Sequence, residues 1–143
     1  MSSKVHKSLF GTSMRILVVE DEALIAIDME YVLRSSGYDV AGPVGNREDA
    51  SRMGANVDIA LVDVHLSDGK TGPLLAADLA QVHGVTVIFA TANPEIVAAD
   101  PHAIGVLVKP VFASDLLNTI EYAVALRNGV PAEAPPCLIR HQP

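Results

Sequence analysis

Residues 15–33 read "RILVVEDEALIAIDMEYVL", an apolar run that ends on three consecutive acids, Glu20, Asp21 and Glu22, and passes at once into helical spacing. Apolar residues without alternation make "RILVVE" a strand buried on both faces, the kind found in parallel sheets. Ile25, Met29, Val32 and Leu33 then share one helical face, and Gly37 supplies the stop. A buried strand followed by an amphipathic helix is one β-α unit. Like charges crowded at the end of such a strand need a physical reason.

The unit recurs along the chain. "YDVAGPV" (38–44) reads as a short strand that Pro43 confines to an edge or a strand end, and Asn46 caps a short helix through Met53. "VDIALVDV" (57–64) is a second continuous apolar strand, again ending on an acid, Asp63. After "LSDGKTG", residues 73–83 read as a helix closed by Gly84, and "VTVIFAT" (85–91) is the next buried strand. "ANPEIVAADPHAIG" has room for a helix of only a turn or two, between Pro94 and Pro101. "GVLVK" (105–109) is the last apolar strand; Ser114 is expected to cap a final helix with Leu117, Ile120, Val124 and Leu126 inward. Five β-α units from Met14 to Asn128 predict an α/β fold, a parallel sheet with helices on both faces. Residues 1–13 read as an N-terminal extension and 129–143 as a Pro-rich tail, in which "APPCLIR" has the option of docking on a partner or on the sheet edge.

Composition narrows the function. At 143 residues, 50% hydrophobic and 19% charged, the chain suits one domain with a real core. A net charge of -7 argues against sequence-independent nucleic-acid binding, which needs clustered Lys and Arg. Cys137 is the only cysteine, so an intramolecular disulfide and a cysteine zinc cluster are both excluded. No stretch has signal-peptide or membrane-spanning character, and the expected location is the cytoplasm.

In open parallel sheets, ligands bind beyond the carboxyl ends of the strands, where the acids of this chain stand. With the first and third strands as neighbours, about 4.8 Å apart, Glu20, Asp21 and Asp63 share one small volume. Carboxylates so placed raise one another's pKa unless a cation neutralises them, and Mg²⁺ suits an all-oxygen set that leaves room for a phosphate oxygen. Thr91 and Lys109 end the next two apolar strands. They offer a hydroxyl and an ammonium to phosphoryl oxygens, with one carboxylate as the nucleophile. Singly, each residue has an ordinary reading: an acidic first helical turn, a strand-end turn, a β-former, a solvated strand end. The five together do not.

"ILVVEDE", "IALVDV", "VIFATAN" and "GVLVKP" resemble the response-regulator receiver domain, the CheY-like module of two-component signalling, from Met14 to Asn128. The resemblance implies a doubly wound (βα)5 fold with a five-stranded sheet in the flavodoxin-like order 2-1-3-4-5. It implies Asp63 as phosphoacceptor, Mg²⁺ held by Glu20, Asp21, Asp63 and the backbone carbonyl of His65, and Thr91 and Lys109 on the phosphoryl group. A cis Lys109–Pro110 bond is implied as well. The implied partner is a sensor histidine kinase or histidine phosphotransfer protein. Output follows either by contact through the fourth helix, fifth strand and fifth helix or by draining phosphoryl groups from a shared kinase; the chain itself is expected to be a monomer or weak homodimer.

The sequence departs from the family pattern at several points. Val106 stands where many receivers have an aromatic, so coupling is expected to run through Phe89 and Thr91. "FAT" (89–91) is similar to a stand-alone subgroup, although Ala92 and Asn93 replace the usual Gly after Thr. Ser67 takes the place of a common Pro, with Gly69 and Gly72 expected to give flexibility, and His65 and Asn93 are placed to tune the lifetime of an acyl phosphate. Two rivals stand beside this reading. One is a metal-dependent phosphatase or hydrolase, disfavoured because His65 sits where a second Asp would act as general acid; the other is a degenerate receiver that binds partners without phosphorylation.

Overall fold

The computed structural model describes residues 14–140; the extension 1–13 and the last three residues of the tail, 141–143, lie outside the described residues. Strands β1 (Arg15–Val19), β2 (Asp39–Val44), β3 (Ile59–Val62), β4 (Thr86–Thr91) and β5 (Ala103–Val108) form one parallel sheet in the order β2-β1-β3-β4-β5. The expected fold class and order both hold. Pro43 sits in the edge strand β2, where a missing N–H removes no ladder bond from the interior.

Each face of the sheet is covered. Ile16, Val18, Ile59, Leu61, Ile88 and Leu107 point toward α1 (Ala23–Ser35) and the C-terminal helix α4 (Ala113–Arg127). Leu17, Val19, Ala60, Val62, Val87 and Phe89 point to the other side, toward α2 (Arg47–Ser51) and α3 (Gly72–His83). This alternation across a central strand is why its sequence is apolar throughout. Asn46 caps α2 by accepting from the Asp49 N–H at 2.8 Å, and α3 ends at Gly84 in the left-handed region, φ 65°. Among the described residues no helix is long and apolar enough to cross a membrane.

Three local expectations need correction. Ser114 does not cap α4: the helix begins at Ala113, with extended Phe112 before it and no side-chain cap. Its buried face is Leu116, Thr119, Ile120, Ala123 and Val124, leaving Leu117 half-buried and Leu126 exposed, because Leu126 is out of phase with that stripe. Gly72 is a close-approach position rather than a flexible one, since a Cβ there would lie 2.0 Å from the carbonyl oxygen of Asp63. The fourth crossover, by contrast, carries a single 3-10 turn, Pro94–Ile96, within the turn or two expected there. Pro94 opens that turn and Pro101 bars its continuation, as the spacing of the two prolines required.

The tail does not trail away. Leu138 is buried and Ile139 pairs with Val106, so of the options open to "APPCLIR" the chain adopts docking on the sheet edge.

Candidate functional site

Parallel pairing brings the site together. Val19 pairs with Val62, so the next residues, Glu20 and Asp63, stand side by side beyond the strand ends. Thr91 pairs with Val108, and the Lys109 N–H donates to the Thr91 carbonyl at 3.0 Å. Asp21, Glu22, Asp63, His65, Thr91, Ala92, Asn93 and Lys109 line an open cavity of about 280 Å³.

At its floor the Lys109 ammonium lies 2.5 Å from Glu20 Oε1 and 2.7 Å from Asp63 Oδ2, with Glu22 Oε2 at 3.6 Å. The Lys109 side chain is only 10% exposed and that of Glu20 only 2%, so these charges act in a partly dehydrated space where Coulomb forces exceed those in water. Burial alone would depress the lysine pKa. Hydrogen bonds to Asp63 and Glu20, with their charges, outweigh burial and hold it above the ordinary lysine value. Glu20 is pushed upward by burial, which its bonds to Lys109 and to the Glu22 N–H offset only in part.

One ammonium is too little for so many acids. Carboxylate oxygens of Glu20, Asp21 and Asp63 lie within 4.8 Å of one another. Glu20 Oε1 is buried without a well-angled hydrogen bond, although the Lys109 ammonium is beside it. An all-oxygen set, one member exposed and two buried, with a single ammonium beside it and an open cavity above, fits a hard divalent cation that keeps several waters.

The remaining polar groups are oriented for the same space. Asp63 Oδ1 accepts the Val64 N–H at 2.7 Å, which fixes the carboxylate plane. Thr91, 1% exposed, accepts the Asn93 N–H on Oγ1 at 3.1 Å, leaving its hydroxyl hydrogen for a ligand. Lys109–Pro110 is cis, as the resemblance implied. Every residue expected at the site is at or beside it: Glu20, Asp21, Asp63, Thr91 and Lys109 by side chain, His65 on the cavity wall.

Sequence reasoning missed two supports. Glu22 was grouped with its neighbours as an acid but not with Lys109, because the turn at 21–22 that brings it round leaves no signature. Ser67 bonds the loop after β2 through its N–H and its hydroxyl, both donating to the Gly45 carbonyl at 2.9 Å. That tie steadies the loop beyond Asp63 where a Pro was missing.

Comparison with known proteins agrees with this geometry. Residues 16–121 match the response regulator receiver domain family. The transcriptional regulatory protein PdtaR of Mycobacterium tuberculosis is 33% identical over 117 residues, 78% of this chain and 57% of that protein. The phyllosphere-induced regulator PhyR of Methylorubrum extorquens is 32% identical over 114 residues, 76% of this chain and 43% of its own. The chain thus spans about half the length of these curated relatives. The solution structure of the PhyR receiver domain of Erythrobacter litoralis superposes with a TM-score of 0.75 at 33% identity, covering 85% of this chain and 97% of that one.

Proposed function

The chain belongs to the response regulator receiver family, and on that premise we propose that it takes a phosphoryl group onto Asp63 from a phosphohistidine of a sensor kinase or phosphotransfer protein. Mg²⁺ would be held by Glu20, Asp21, Asp63 and the His65 carbonyl, and when bound would neutralise the carboxylates and draw in phosphoryl oxygens. The observation that carries this reading is the convergence of one buried ammonium and three carboxylates on a single open cavity.

The residues divide the work. A carboxylate oxygen of Asp63 attacks phosphorus as the bond to the donor imidazole nitrogen breaks, and the imidazole leaves with the electron pair. Val64 holds the carboxylate in plane, which limits the ways it can meet an in-line donor. Lys109, already paired to Asp63, follows the negative charge onto the phosphoryl oxygens, and the Thr91 hydroxyl donates to another of them. His65 and Asn93, exposed on the cavity wall, flank the route by which water would reach the acyl phosphate.

The product is a modified protein rather than a released metabolite, so the chain is a switch and not an enzyme acting on other molecules. Its output is contact through the face built from the fourth crossover, β5 and α4, in the cytoplasm. A hydrolase fits less well, because the position two after Asp63 is a histidine on an exposed loop, with no second carboxylic acid to protonate a leaving group. The test is intact-protein mass after incubation with Mg²⁺ and acetyl phosphate or a cognate phosphohistidine donor. One added phosphoryl group, absent in Asp63→Asn and in EDTA, is expected; no gain from either donor supports the degenerate reading, and turnover of diverse phosphate esters the hydrolase.

A further inference from the structure

β5 is an outer strand of the sheet, and an outer strand leaves a row of backbone groups ready to pair with an extended segment. Here the chain supplies that segment itself. The Val106 N–H donates to the Ile139 carbonyl at 2.8 Å and the Ile139 N–H to the Val106 carbonyl at 2.9 Å, an antiparallel pair on an otherwise parallel sheet. Leu138, beside it, is 6% exposed and joins the core shared with α1 and α4.

The seat for Leu138 is Gly105. A Cβ at position 105 would lie 2.6 Å from Leu138 Cγ and 2.7 Å from the Ile139 carbonyl oxygen. Its three nearest neighbours would all be tail atoms. The missing side chain therefore makes room for the tail and not for the sheet's own packing. Elsewhere the described tail is held by little: Cys137 Sγ lies 3.7 Å from Thr119 Oγ1 and 3.9 Å from the Asp115 carbonyl oxygen of α4, and the Val130 N–H donates to the Ala125 carbonyl at 2.9 Å. Between α4 and the seat, residues 130–136 arch over Asn118, Glu121 and Tyr122, leaving a cavity of about 510 Å³ beneath them. Two backbone bonds, one leucine and the long Cys137 sulfur contacts make an attachment that another segment of the same kind can replace.

We propose that the outer edge of β5 is a docking surface for an extended strand that places a leucine in the Gly105 seat and a β-branched residue opposite Val106. Residues 137–139 are its resident occupant, and a partner's strand of that chemistry binds by displacing them. The tether gives the resident a millimolar-range effective concentration, so a free segment competes poorly until the tail is loosened. This goes beyond the phosphoryl reading and does not depend on it: the seat is present whether or not Asp63 is modified. Because Val106 lies three residues before Lys109, which directly follows β5, an occupant of this edge rests on the strand that leads to the ammonium.

The test uses the full chain and a synthetic peptide of residues 134–140, followed by amide NMR. Ile139→Pro removes the N–H that pairs with Val106 and is expected to release the tail; the peptide should then shift the Gly105 and Val106 amides. Binding to wild type should be at least tenfold weaker, and absent when Gly105→Ala is added to Ile139→Pro, because the new Cβ fills the seat. Equal binding to wild type and Ile139→Pro, binding that survives Gly105→Ala, or no binding to Ile139→Pro would each overturn the proposal. Hydrogen exchange of unsubstituted protein gives a readout that no folding defect can obscure. Val106 and Ile139 amides are expected to exchange together and faster than that of Phe89 in β4; protection equal to Phe89 would contradict displacement.

Discussion

Lys109 and Gly105 stand four residues apart on or just beyond one strand and hold their neighbours by opposite means. At Lys109 a full charge gathers carboxylates that would otherwise repel one another. At Gly105 the absence of a side chain admits a leucine and a backbone strand. The charged end is a reservoir of unfavourable energy that a ligand can relieve; the empty seat is a favourable contact that a competitor can replace. A perturbation at the two places should therefore differ in whether metal rescues it.

The largest effect belongs to the charged end. Lys109→Met leaves buried Glu20 and Asp63 without their counter-charge and is expected to cost about 3 kcal/mol in EDTA. Denaturant unfolding should show most of that loss recovered in Mg²⁺; a loss indifferent to Mg²⁺ would place the defect elsewhere. Leu138→Ala tests the seat and should cost about 2 kcal/mol, by the same measurement and with no rescue by metal. A cost near zero would mean that the tail adds nothing to the fold.

Two smaller effects sharpen the contrast. Glu20, raised by burial, favours folding while protonated, an advantage complete below its ordinary pKa and lost as pH rises through the raised value. In EDTA, wild type should therefore lose stability relative to Glu20→Gln as pH rises through that window, and Mg²⁺ should abolish the difference; parallel pH profiles would refute the assignment. Ser67→Ala, removing one exposed hydroxyl bond to Gly45, should cost about 0.5 kcal/mol, with the Gly45 amide resonance moving while Gly105 stays fixed.

The two places also differ in how far they could be read from the sequence. Glu20, Asp21, Asp63, Thr91 and Lys109 were legible because charged or hydroxylic residues ending apolar runs stand out, and parallel pairing leaves them no choice but one edge. The strand order and the cis bond came with the family resemblance. Gly105 was silent, since a glycine opening a strand does not announce what it makes room for, and Leu138 looked like one apolar residue in a proline-rich tail. Gly72 was misread for the same reason: close approach to the Asp63 carbonyl is a tertiary fact that composition cannot carry. The face of α4 slipped because its phase is set by the sheet beneath it, where Leu116 and Ala123 count for more than Leu126.

The claim on which the rest depends is that the acids at the ends of β1 and β3 share one divalent ion. Calorimetric titration of Mg²⁺ into the unphosphorylated full chain tests it most directly. One ion per chain is expected for wild type, with binding lost in both Asp21→Asn and Asp63→Asn; undiminished binding in either variant would contradict it.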